Sequence, residues 1–149
     1  MRVKIIFILL GILGALACSK NKFVTRPSLE FEKAENNPTS SGPDSILSIY
    51  LKYTDREGDI NGAKLSYYRI RTNIRGIFNP AVNDQVDSSI QDMPDFTPNI
   101  KGQIKVMVPY SFMNEDPTTN DTMVFKIVLT DLAGNSSDTL LTPKFVAKQ

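Results

Sequence analysis

The hydrophobic pattern divides the chain into three parts. An unbroken run of apolar and glycine residues, Ile5–Ala17, comes first. From Ser19 to Asp44, Phe23, Val24, Leu29 and Phe31 are scattered among polar residues with no sustained period. Beyond Asp44 the period is two. In SILSIYLKY, Leu47, Ile49, Leu51 and Tyr53 share one face and Ser48 and Lys52 the other, which predicts a half-buried strand. AKLSYYRIRTNI sets Leu65, Tyr67, Arg69 and Arg71 against Tyr68 and Ile70, a strand expected to be buried at one end and wetter at the other. Gly102–Tyr110 gives the cleanest alternation, with Ile104, Val106, Val108 and Tyr110 on one face. Thr122–Thr130 sets Met123, Phe125, Ile127 and Leu129 against Lys126, and Asp138–Val146 ends the pattern with Leu141 and Phe145 as expected core residues.

Turn residues separate these runs. Thr54–Gly62 is polar and holds two glycines, and Asp131–Ser137 is a second such turn. Residues 76–100 contain three prolines and form a connection longer than the about 4–6 residues usual in compact domains, with a short edge strand expected near Gln85–Ile90. No stretch of about ten residues carries a helical period. Short strands at this spacing predict an all-β sandwich of about seven strands in two sheets, each burying its apolar face on the other. The NNPTSSGPD stretch, Asn36–Asp44, has linker composition. Residues 18–43 are accordingly read as a flexible tether and 44–149 as the folded domain, the alternative being a first strand near Ser28–Phe31 at the domain edge.

The N-terminal run changes the picture of where the domain resides. Arg2 and Lys4 precede it, and its thirteen residues match a signal-peptide core while falling short of the roughly 20 that span a bilayer. Ala15-Leu16-Ala17-Cys18-Ser19 resembles a bacterial lipoprotein signal, in which small residues precede a cysteine that becomes the first residue of the mature chain. The leucine usual three places before that cysteine is Ala15 here. The resemblance implies removal of residues 1–17 as signal peptide and acylation of Cys18, palmitate included; several acyl chains together anchor stably. The competing reading is an ordinary secreted protein with Cys18 as a free thiol. Serine rather than aspartate follows Cys18, and Lys20 and Lys22 stand where an acidic run often accompanies surface export in such lipoproteins. The periplasmic face of the outer membrane is therefore expected, with surface exposure as the alternative.

Composition mostly excludes. The formal charge is +1, and loss of Arg2 and Lys4 makes it −1, so no single-sign field suggests nucleic acid as a partner. The chain has no histidine, and Cys18 is its one cysteine. Histidine-based hydrolysis, a cysteine nucleophile and imidazole or thiolate metal sites are excluded. There is no G-x-S-x-G elbow, P-loop or dinucleotide fingerprint. A noncatalytic protein is expected.

Two sets of residues remain as candidates. Asp55, Glu57 and Asp59 recur at every second position and are candidate calcium ligands, joined by Asp131 and Asn135 if the two turns share one end of the sandwich. An EF-hand is a poor match, since Ile60 stands where its glycine and Ser66 where its glutamate belong. The bland reading is a solvated turn whose side chains cap backbone N–H groups and whose Gly58, Gly62 and Gly134 relieve positive φ. Tyr50, Tyr67, Tyr68, Arg69, Arg71 and Arg75 are candidate contacts for a partner protein or a glycan. Against that, tyrosines plug sandwich ends and arginine stems cover surfaces. Met93, Phe96, Phe112 and Met113 either cover a sheet edge or extend an adhesive surface.

The segment Thr54, Asp55, Gly58, Asp59, Ile60 and the later Asp131, Ala133, Gly134, Asn135, Ser137 read as T-D-x-x-G-D-I and D-x-A-G-N-x-S. On these motifs residues 44–147 resemble the immunoglobulin-like domains of small lipoproteins of Bacteroidetes-type bacteria. The resemblance implies an immunoglobulin-like β-sandwich on the cell envelope and transfers no catalytic site. The expected function is a lipid-anchored, noncatalytic binding or scaffold module. The alternatives are a glycan-binding accessory of a polysaccharide-uptake system and a structural subunit of an envelope protein complex.

Overall fold

A computed structural model describes residues 26–42, 45–73, 88–95, 97, 99–115 and 118–149. The N-terminal apolar run, Cys18 and Arg75 lie outside them. The strands are β1 (Ser28–Glu35), β2 (Thr39–Ser40), β3 (Ile46–Thr54), β4 (Lys64–Arg71), β5 (Ser88–Asp92), β6 (Lys101–Pro109), β7 (Asp121–Thr130), β8 (Leu140–Leu141) and β9 (Phe145–Lys148), with a single-turn helix α1 (Tyr110–Met113) between β6 and β7. One sheet has the order β1-β3-β6; the other has β2-β9-β7-β4-β5, with β8 on β7. This is an all-β, immunoglobulin-like sandwich: strands 3 and 6 face strands 4, 7 and 9, and β5 extends the larger sheet beside β4. Among the described residues no helix is long and apolar enough to cross a membrane.

The period-two runs close the core as their faces require. Leu47, Ile49 and Leu51 on β3 stand opposite Val108, Val106 and Ile104 on β6, and Leu65 and Tyr67 on β4 stand opposite Leu129 and Ile127 on β7. All ten are buried, and each large apolar side chain contributes about 1.5–3 kcal/mol on burial. Contacts between rings join the layers. Phe31 of β1 lies 6.5 Å from Phe145 of β9, Phe145 lies 5.9 Å from Phe125 of β7, and Phe125 lies 6.1 Å from Tyr67. This aromatic chain occupies the middle of a sandwich that has no disulfide to bridge it.

Three expectations are corrected. Residues 28–42 belong to the folded domain and not to a tether: β1 pairs with β3 from Ser28↔Thr54 to Glu35↔Ser48. Its period is broken by a register shift between Phe31 and Lys33, so the inward positions are Leu29, Phe31 and then Ala34. The chain then crosses to the other sheet, where Thr39 and Ser40 run parallel to Ala147 and Lys148. Leu141, expected in the core, is 59% exposed; Leu140 packs inward instead. The wetter end expected for β4 is also absent, because Arg69 is buried.

Met113 is fully buried, and Phe112 and Met93 pack on the core, so these three cover the sandwich rather than extend an adhesive surface. Phe96 lies outside the described residues.

Candidate functional site

The loop from β3 to β4 and the loop after β7 meet at one end of the sandwich. The first begins where Asp55 leaves β3, its N–H donating to the Ile100 carbonyl at 2.8 Å. Gly58 adopts φ 71°, a left-handed conformation that favours glycine, and the Asp59 N–H donates to Asp55 Oδ2 at 3.0 Å. Ile60 then enters the core. In the second loop, Asp131 accepts from the Asn135 N–H at Oδ1 (2.7 Å) and from Asn135 Nδ2 at Oδ2 (2.9 Å), while Gly134 turns the chain at φ 88°. Ser137 Oγ accepts the Leu129 N–H at 3.0 Å. The Leu132 N–H donates to the Asp59 carbonyl at 3.3 Å and ties the loops together.

The two turns therefore share one end, and they bring Asp55, Asp59 and Asp131 together, with one carboxyl oxygen from each inside a mutual 4.8 Å. Asp55 is 2% exposed and Asp131 is buried as well. Asp55 Oδ1 and Asp59 Oδ1 are buried and accept no hydrogen bond. Burial raises the Asp59 carboxyl above the ordinary aspartate value, and its hydrogen bond with Asp55 and the charges of Asp131 and Asp55 push the same way. Glu57 is exposed and stands outside the cluster. Asn135 orients Asp131 by donation. The all-oxygen donor set suits a hard cation such as Ca²⁺.

The tyrosine and arginine set does not form one surface. Tyr50 lies on the outer face of the smaller sheet, donating to Glu35 Oε2 at 2.8 Å with Lys33 and Lys105 over its ring at 4.6 and 5.6 Å. Tyr67 is in the core and Tyr68, 47% exposed, faces out from the larger sheet. Arg69 and Arg71 converge on Glu115 at the end opposite the acids; Arg69 also donates to the Phe112 carbonyl and lies 5.1 Å from the Phe112 ring. Glu115 is the partner that sequence reasoning missed, because it stands 46 positions from Arg69.

Two features of the surface carry no sequence signature. On the outer face of the larger sheet, Ile90 and Val128 flank Ser66, Tyr68 and Leu141 flank Lys126, and Ile70 neighbours Val124. Tyr68, Ile70, Ile90 and Leu141 are exposed there. A groove of about 530 Å³ runs between the β5 and β6 edges, with Gln91, Asn99, Lys101 and Gln103 among its lining residues and Asp92 as the one carboxylate among them. No protein-family model matches the chain, and no curated protein matches it either.

Proposed function

We propose that this chain is a lipid-anchored, noncatalytic binding or scaffold module of the bacterial cell envelope, held through Cys18 at the periplasmic face of the outer membrane. The observation that carries the reading is the short distance in sequence between the cysteine and the sandwich: β1 starts at Ser28, ten positions after Cys18. At about 3.3–3.6 Å per residue, that leash is at most about 35 Å long. The folded domain is thereby kept close to the membrane surface, and the exposed Tyr68, Ile70, Ile90 and Leu141 on the outer face of its larger sheet are available to a neighbouring envelope protein.

The test is metabolic labelling with an alkyne fatty acid in a bacterial host. Label on the wild type and loss of both label and membrane association in Cys18→Ala are expected. An unlabelled, fully soluble wild type overturns the anchor.

The groove supports glycan binding as a second reading, since its amide side chains can donate to and accept from sugar hydroxyls. Retention of a polysaccharide by the wild type and its loss in Gln103→Ala would favour that reading.

A further inference from the structure

The acidic cluster is built unlike a solvated turn. Asp55 is almost wholly buried, yet its Oδ1 and that of Asp59 have no hydrogen-bond partner. The ion pairs formed among the described residues engage Glu32, Glu35 and Glu115, not these acids. An ionised carboxylate taken out of water without a partner is costly, and like charges beside it raise the cost.

We propose that this cluster binds one Ca²⁺ ion, with Asp55, Asp59 and Asp131 as its protein side-chain ligands. The hydrogen bonds leave acceptor atoms free. The Asp59 N–H occupies Asp55 Oδ2 and leaves Oδ1 for the metal. Asn135 holds both oxygens of Asp131 by donation, which orients that carboxylate while leaving it lone pairs. Calcium binds oxygen at 2.3–2.6 Å, so two ligand oxygens about 2.4 Å from one ion are at most about 4.8 Å apart. The three carboxylates already satisfy that limit. Magnesium demands near-ideal octahedral geometry at about 2.0–2.1 Å and dehydrates reluctantly, whereas calcium accepts flexible oxygen sets supplied by loops. Bound calcium ties the loop after β3 to the loop after β7. It also stiffens the end where the anchored N-terminal segment enters the fold, because Ser28 pairs with Thr54 beside Asp55.

The test is calorimetric titration of the full chain in detergent with CaCl₂, together with thermal melts in EDTA, CaCl₂ and MgCl₂. One site is expected, with a Kd on the order of 10⁻⁴–10⁻³ M as in extracellular calcium modules. At about 10 mM CaCl₂ the melting temperature should rise by about 5 °C or more over EDTA, and by less in MgCl₂. Asp59→Asn and Asp131→Asn should each lose the shift with unchanged circular dichroism, while the distant Glu35→Gln keeps it. Melts that coincide in EDTA and CaCl₂ with no heat of binding overturn the proposal, as does a full shift retained in both aspartate variants. An equal response to magnesium overturns the choice of metal. Should Asp131→Asn fail to fold, the wild-type titration and Asp59→Asn decide.

Discussion

The two ends of this sandwich bury charge in opposite ways. At one end Arg69, with 1% of its side chain exposed, meets Glu115, and Arg71 joins on the same carboxylate. The Phe112 carbonyl takes a further Arg69 N–H, and Asp121 holds the Glu115 backbone by accepting its N–H at 2.7 Å. At the other end three aspartates gather with no basic partner among the described residues. The fold neutralises buried charge internally where it needs only rigidity. Where it leaves the charge uncompensated, neutrality must come from a proton or a cation. The raised affinity of Asp59 for a proton is the metal-free form of that demand.

Removing the internal compensation should have the largest effect. Arg69→Met leaves Arg71 as the basic partner of Glu115 among the described residues and removes the Arg69 donor from the Phe112 carbonyl, and breaking a buried pair from one side costs about 3 kcal/mol. Urea denaturation at neutral pH measures it, and a loss below about 1 kcal/mol would erase the contrast between the two ends. Gly102→Ala probes the wall of the acidic end. A Cβ there would meet Tyr53 Cε1 at 2.7 Å, and the Tyr53 hydroxyl's proton affinity is raised by burial and then by the charge of Asp55. Overpacking of this kind costs about 1–2 kcal/mol. If the Tyr53 ring supports the cluster, the calcium-dependent rise in melting temperature shrinks in the same variant; an unchanged rise separates the two.

Asp59→Asn should act in the reverse sense in EDTA. The backbone N–H of residue 59 still donates to Asp55 Oδ2, and one of three like charges is gone, so the metal-free variant gains about 1 kcal/mol, at the low end of the about 1–4 kcal/mol for unit charges at 4 Å. A metal-free variant less stable than the wild type would mean that the acids do not repel one another.

What the sequence conveyed follows the same physics. β3, β6 and β7 were legible because each buries one face throughout its apolar run, so the period of two survives along Leu47–Tyr53, Ile104–Val108 and Met123–Leu129. β1 was not, because the register shift between Phe31 and Lys33 moves its inward positions from Phe31 to Ala34 and breaks the period. Leu141 was misplaced because β8 is two residues long, too short for alternation to say which leucine faces in. The acids were legible as a set from their two glycine-containing turns, but not their membership. Glu57 lies outside because it precedes the left-handed Gly58 and points into solvent. Arg69 read as wet because the residue that neutralises it is distant along the chain.

The smallest effect belongs to a charge row that neither end shares. On the outer face of the smaller sheet Lys33 donates to Glu35 Oε1 at 2.6 Å, and Tyr50 donates to Oε2 at 2.8 Å. The Lys33 hydrogen bond, then that of Tyr50, holds the Glu35 carboxyl below its ordinary value of 4.5. A carboxylate with a depressed native pKa stabilises the fold above its unfolded value, and the contribution disappears as pH falls through the native one. Solvent exposure of Lys33 and Glu35 keeps the contribution to stability slight, so the position of the titration is the better readout. NMR titration of the Glu35 side chain should find its midpoint under 4.5. Lys33→Met should move it up the most and Tyr50→Phe less, with neither variant altering the calcium response. A Glu35 midpoint that ignores both substitutions would show that surface pairs here are too solvated to hold charge. Compensation would then operate only in the interior, where Arg69 and Glu115 provide it and the three aspartates do not.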